Sequence, residues 1–314
     1  MGIRSLLVAI LPVALAAVAL AQESAPAPTV PPPTPPQAAV PQEPPKAEPQ
    51  PAPPDPREIV RRSVELDHRN AQLLARNYTY QSREVERELD KDGNVKKTQV
   101  STYDHVFIYG RTFSRLVAKD DKPLNEKEAR KEDERLEKIK QRYEHESDAD
   151  REKRLADQQR NREENRKFLL EIPEAYDCEL KGSETVNGRD TWIIGLTPRP
   201  GYEPKARFGQ ILRKTRGTLW IDKAEYQWVK GEAELIDTFT FGGFLLRLHK
   251  GARVQFEQTK VNDEVWLLHV LNVAGSARIA LLKNARADQE TTFSDYRRFK
   301  VDAKITGVAE APQP

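Results

Sequence analysis

The residues that could do chemistry are few and scattered. Five histidines, His68, His105, His145, His249 and His269, fall in five different stretches. Zinc hydrolysis needs two histidines one helical turn apart with a glutamate between, structural metals need paired cysteines, and acyl transfer needs a serine beside a histidine base. No HExxH, CxxC, G-x-S-x-G or Gly-Lys-Ser phosphate loop occurs. Ser63, Ser101 and Ser276 have no evident base partner, and the Asp67-His68 pair sits in a charged helical stretch and reads as surface. His249 and His269 lie in strand-like stretches and read as packing or edge residues. The lone Cys178, in "YDCELKG", reads as a small hydrophobe on a strand and can form no internal disulfide. With 49 acidic residues, carboxylate pairs arise by chance and none stands out. The expectation is a protein without catalytic residues, metal or cofactor. The alternative is a hydrolase whose carboxylates carry no recognisable motif.

Aromatic residues offer more. "GTLWIDKAEYQWVKGEAEL", residues 217–235, reads as two strands meeting at a turn, carrying Trp220, Tyr226 and Trp228. Strict alternation puts Leu219 and Ile221 opposite Trp220, and Val229, Gly231, Ala233 and Leu235 opposite Trp228 and Lys230. In "EVWLLHVLNV", Val265, Leu267 and Leu271 alternate with Trp266, Leu268 and Val270, so this strand is expected to be buried on both faces. These aromatics are either ordinary core or the lining of a hydrophobic groove for an acyl chain. "DTFTFGGFLLRL" adds Phe241, Phe244 and Leu246 around Gly242-Gly243, as a turn tucked onto the core or as a lid. Trp220, Trp228, Trp266, Phe241, Phe244 and Leu246 are the candidate ligand-binding residues. Burial of a methylene is worth about 0.8 kcal/mol, so a chain-binding site needs few polar contacts.

These residues sit on a mostly antiparallel framework. After Pro56, Ile59, Val60, Val64, Ala71 and Leu74 recur at helical spacing. Alternating strands follow, turning at Asp92-Gly93-Asn94, with imperfect parity at Tyr78, Tyr80 and Val85 that predicts a bulge. From Asn125 to about Phe168 the chain is almost wholly charged. Asn125 with Glu128 has capping-box spacing, Ser147 and Asp150 begin a second helix, and Glu126–Arg130, Glu134–Lys138 and Asp150–Arg154 have favourable i,i+4 order. This segment reads as a solvated helical insert along the sheet. Strands then resume, with a hairpin turn at Asn187-Gly188 and a loop at "PRPGYEP". The fold class expected is α+β: a large, curved, mostly antiparallel sheet, an incomplete barrel, with helices on one side and the insert at 125–168.

The ends fix the surroundings. Residues 1–21 read as a secretory signal, with Arg4, an apolar run and a small-x-small site that predicts cleavage after Ala21. The run is marginal for a membrane span, which takes roughly 20 apolar residues, so an uncleaved anchor is the lesser reading. Residues 22–56 hold most of the chain's 23 prolines and read as a disordered linker. Residues 57–308 form the domain, and 309–314 a tail. The formal charge of +2, with both signs evenly mixed, gives no attraction to nucleic acid. A periplasmic or secreted protein follows, touching membranes at most transiently.

The order of "RTFSRLVAKDDKPLNEKEA", "NGRDTWIIGLTPRPGYEP", "GTLWIDKAEYQWVKGEAEL", "FTFGGFLLRLHKGARV", "EVWLL" and "TTFSDYRRFKV" resembles the LolA/LolB-like superfamily of lipoprotein localisation factors. It is similar in particular to exported outer-membrane lipoprotein-sorting proteins. The resemblance implies a curved, incomplete barrel closed by helices around a hydrophobic cavity. It also implies a lipid or lipoprotein acyl chain as ligand, or an envelope protein as partner in a stress sensor of the same fold. The charged insert and proline-rich linker depart from the transport factor, and no family site residue carries over.

Overall fold

Helix formation begins where the prolines end. In the computed structural model, which describes residues 54–109, 111–241, 246–279 and 283–298, Asp55 caps the first helix: the Arg57 N–H donates to its Oδ1 at 3.0 Å. Pro56 then fills the first helical position, where its missing N–H costs nothing. Helix α1 (Pro56–Asn77) buries Ile59, Val60, Ser63 and Val64 on one face. The expected signal, residues 22–53 of the expected linker, and the tail, together with Gly242, Gly243 and Phe244, lie outside the described residues; Pro56, placed last in the linker, already belongs to α1.

Among the described residues, thirteen strands form one antiparallel sheet. They are β1 (Tyr78–Leu89), β2 (Val95–Ile108), β3 (Arg111–Lys119), β4 (Lys122–Pro123), β5 (Tyr176–Val186), β6 (Arg189–Pro198) and β7 (Thr215–Asp222). After these come β8 (Trp228–Leu235), β9 (Phe239–Phe241), β10 (Leu246–Leu248), β11 (Arg253–Val261), β12 (Val265–Ile279) and β13 (Lys283–Arg298). The spatial order is β4-β3-β2-β1-β13-β12-β11-β8-β7-β6-β5, with β10 bridging β12 and β9. The sheet stays open, with β5 at one border and β3, tipped by β4, at the other. This is the expected α+β class. The expected turns are present: Asp90 accepts from Asn94 N at 2.9 Å in the first hairpin, and Asn187 and Gly188 take φ of 50° and 75°. The bulge predicted near Tyr80 falls between Thr79 and Gln81.

Two bulges correct the expected faces. Trp220 pairs with Lys230 and Ile221 with Trp228, so Val229 is the extra residue. Trp228 therefore shares a face with Gly231, Ala233 and Leu235 instead of opposing them. On β12, Glu257 pairs with Val270 and Gln258 with Leu268, so His269 is extra and Leu268 joins the face of Leu271. Strand β12 is buried on both sides as expected, from Val265 at 0% exposure to Trp266 at 4% and Leu267 at 2%.

The helices cover the inner face. Between β4 and β5 run α2 (Glu126–Glu144) and α3 (Asp148–Ala175). Both caps read from sequence form: Asn125 Oδ1 accepts from Glu128 N at 3.0 Å, and Ser147 Oγ from Asp150 N at 3.1 Å. Arg154 does not pair with Asp150; it reaches back to Glu146 at 2.7 Å, because Asp150 Oδ2 already accepts from the Ser147 hydroxyl. Helix α2 buries none of its residues. It lies along the free edge of β3, where Arg115 pairs with Asp133, Arg135 donates to the Ser114 carbonyl, and Tyr143 packs on Tyr109 and Phe113. Helix α3 continues past Phe168, and its last turns enter the core through Phe168, Leu169, Ile172 and Ala175.

Candidate functional site

A row of the inner face lacks side chains beyond Cβ. Gly217 of β7 pairs with Ala233 of β8, flanked by Leu196 of β6 and Val254 of β11. On one side of this row lie Thr215 and Leu235. On the other lie Leu219, Gly231 and Phe256, with Trp228 beyond. Facing it are Phe168 and Ile172 of α3, Tyr176, and Ile211 and Leu212 of a 3-10 helix at Gly209–Lys214. The hollow so formed has a volume of about 150 Å³ and is open on one side.

The lining is apolar by construction. Thr215 turns its hydroxyl to the Ile211 carbonyl at 2.9 Å. Arg216 and Glu232 belong to the opposite parity and pair with Glu234 at 2.8 Å and Lys230 at 3.1 Å. What remains is almost wholly apolar surface, which offers water no hydrogen-bond partner.

Two anchors hold the walls. Trp228 donates its indole N–H to Ser63 Oγ at 2.8 Å, fixing α1 on the sheet. Glu171 Oε1 accepts from the backbone N–H groups of Lys205 and Ala206, both at 2.7 Å, tying the loop ahead of the 3-10 helix to α3. Its Oε2 is buried with no hydrogen-bond partner.

Of the residues singled out from sequence, the recess gathers Trp228. Trp220 lies on the outer face, donating to Glu184 at 2.7 Å under the Lys230 ammonium, 4.4 Å from its ring centroid. Trp266 closes a polar cluster at one end of the sheet, donating to Glu225 Oε2 at 3.0 Å with the Arg189 guanidinium over its ring. Burial raises the Glu225 pKa, but the bonds from Trp266, Lys260 and Arg189 outweigh it and hold the carboxyl below its usual range. Leu246 is buried on β10, two residues from the lining Leu248. The side chains of Phe241 and Phe244 lie outside the described residues. Tyr226, at φ 56°, packs on Trp192 and under Arg62 of α1, whose guanidinium is 3.9 Å from the ring centroid. Sequence reasoning missed Gly217 and Phe256, whose meaning depends on cross-strand neighbours, and the helical wall.

One chemical pair emerges only in three dimensions. Ser82 Oγ lies 2.7 Å from His105 Nε2, while Nδ1 faces Ser114 Oγ at 3.3 Å and the ring stacks on Tyr80. Burial pushes the His105 pKa down to about 4. Ser82 is 1% exposed, so no substrate reaches its hydroxyl in this arrangement. Burial pushes the half-buried Cys178 thiol up to about 11, which favours the protonated form over the thiolate.

No family model and no curated protein matches the sequence. Solved structures similar to this chain include a DUF1329 family protein from Desulfovibrio piger, at 11% identity, TM-score 0.29, covering 79% of this chain and 93% of that one. A LolA superfamily protein from Nitrosomonas europaea is similar at 8% identity and TM-score 0.28, covering 78% and 94%. An outer membrane lipoprotein-sorting protein domain from Vibrio parahaemolyticus is similar at 11% identity and TM-score 0.27, covering 78% and 95%. The last two fall in the groups that the segment order resembles. At these identities and TM-scores the likenesses say nothing of ligand or partner.

Proposed function

We propose that the protein is an exported, non-catalytic binder and carrier of a lipid or lipoprotein acyl chain, held in the recess between sheet and α3. The observation that supports it best is the bare Gly217/Ala233 row under a wall of Phe168, Ile172, Ile211 and Leu212. Six carbons taken into the hollow correspond to about 5 kcal/mol of gross driving force, and the rest of a longer chain lies along the open groove. No polar group is needed to hold such a ligand, in keeping with a sequence that carries no chemical motif. Export rests on the signal-like residues 1–21.

Organic extraction of the purified protein, followed by titration with a fluorescent acyl probe, tests the reading. Co-extracted lipid or saturable probe binding is expected. An empty extract together with no probe binding overturns it.

One observation favours a second reading, a docking module for another envelope protein: α2 presents nineteen residues and buries none. A partner captured by the wild type and by Ala233→Trp, but lost when the outward side chains of α2 are replaced, would select that reading.

A further inference from the structure

Gly231 sits opposite Phe256 on the inner face, one row beyond the bare Gly217/Ala233 pair. A Cβ on Gly231 would stand 2.3 and 2.5 Å from Phe256 Cε1 and Cζ, so the ring lies directly on the glycine backbone. Trp228 backs that ring at 5.9 Å between centroids, and Ser63 of α1 holds Trp228 in turn. Leu219, 3.2 Å from the same Cβ position, fills the space beside it. Going along the strands from Thr215 and Leu235, the hollow runs across the bare row to an end lined by Leu219, Phe256 and Trp228. Successive same-face rows are about 7 Å apart, so the position of one ring sets the depth to within a few carbons.

We propose that the ring of Phe256, seated on Gly231, is the stop that fixes how long a chain the recess accepts. The proposal rests on the reading that the recess binds an acyl chain. Phe256 and Gly231 work as a pair: a glycine lets the Cε1–Cζ edge of the ring close onto the strand and leaves the bare row open. A side chain at 231 pushes the ring back over that row. Removal of the ring opens the space in front of Trp228.

The test is a series of saturated fatty acids, octanoate to stearate, each displacing a fluorescent acyl probe from wild type, Phe256→Ala, Phe256→Leu and Gly231→Ala. Near-ultraviolet circular dichroism and thermal midpoints establish that each variant is folded. In the wild type, affinity is expected to rise with chain length and then level off. In Phe256→Ala the plateau moves to longer chains, with about a fourfold gain for each further methylene taken in. Gly231→Ala moves it to shorter chains. If Phe256→Ala does not fold, Phe256→Leu carries the same expectation at smaller amplitude, and Gly231→Ala the opposite one. Folded variants that all level off at the wild-type length overturn the stop while leaving the recess as a binding site. A wild type that binds no member of the series removes the binding site and the stop together.

Discussion

Trp228 and Ser63 meet across 165 residues of sequence, the indole N–H donating to the hydroxyl at 2.8 Å in a site where both side chains are buried. The Ser63 hydroxyl in turn donates a hydrogen bond to the Val60 carbonyl at 2.8 Å, so both polar groups of the pair have partners. Ser63→Ala leaves a buried indole N–H without an acceptor, which costs about 1–3 kcal/mol. Trp228→Phe removes the donor as well, so the double variant is expected to lose less than the sum of the two singles. Urea unfolding of the four-member cycle measures the coupling.

Ala233→Trp fills the bare row. The added ring replaces the hollow with protein, at an overpacking cost of about 1–3 kcal/mol. A folded protein that no longer binds an acyl probe is the expected outcome. Undiminished binding would show that the probe sits elsewhere.

Glu171 holds the 3-10 wall through two backbone N–H groups. Glu171→Ala leaves both unpaired and is expected to destabilise the fold by about 3 kcal/mol, since each bond to a carboxylate is worth about 1.5–3 kcal/mol before relaxation. Hydrogen exchange should quicken at Lys205 and Ala206 in particular. Glu171→Gln keeps an acceptor at Oε1 and should recover most of the loss.

His105 makes stability depend on pH. Burial lowers its folded pKa to about 4 against an ordinary 6.5, with Asp104 opposing only weakly. Between those values the unfolded chain binds a proton that the folded one does not, so stability rises with pH across the window and is lost as pH falls from 6.5 towards 4. The full effect is of the order of 3 kcal/mol. His105→Gln should flatten the slope between pH 7 and 4.5 in chemical denaturation, and an unchanged slope would assign it to other groups.

Helix α2 is held by exposed ion pairs, Arg115–Asp133 and Lys119–Glu128, which water and salt screen, and by Tyr143 on Phe113. Tyr143→Ala together with high salt is expected to speed proteolysis within residues 126–144 while leaving the global unfolding midpoint nearly unchanged. A midpoint that falls steeply would mean that α2 folds as one unit with the sheet.

What could be read from sequence was local. Pro56, Asn125 with Glu128, Ser147 with Asp150, and Asn187-Gly188 each declare a boundary through one residue or residues a few positions apart, and each forms as expected. The faces were harder. Strict alternation put Trp228 against Gly231 and Ala233, and one extra residue at Val229 brought it round to join them. Nothing within β8 marks that residue, because the bulge is defined by its partner strand. Ser82 and His105 are 23 residues apart and become neighbours only through the register of β1 on β2. Gly217, Gly231 and Ala233 were visible as small residues, but their role depends on Phe256 and Val254 arriving from β11. The boundary drawn at Phe168 followed the end of the charged run, whereas the helix itself runs on to Ala175 and supplies the wall of the recess.

Among the described residues, the main path of the open sheet has two borders at which a second molecule could extend it, apart from the short β9–β10 branch. At one, the Arg135 guanidinium of α2 already occupies the Ser114 carbonyl. At the other, Gly182 at φ 145° kinks β5 beside the charged side chains of Glu179, Lys181 and Glu184. Each of these features opposes the addition of a strand from another copy, so templated growth into fibres is disfavoured at both seams.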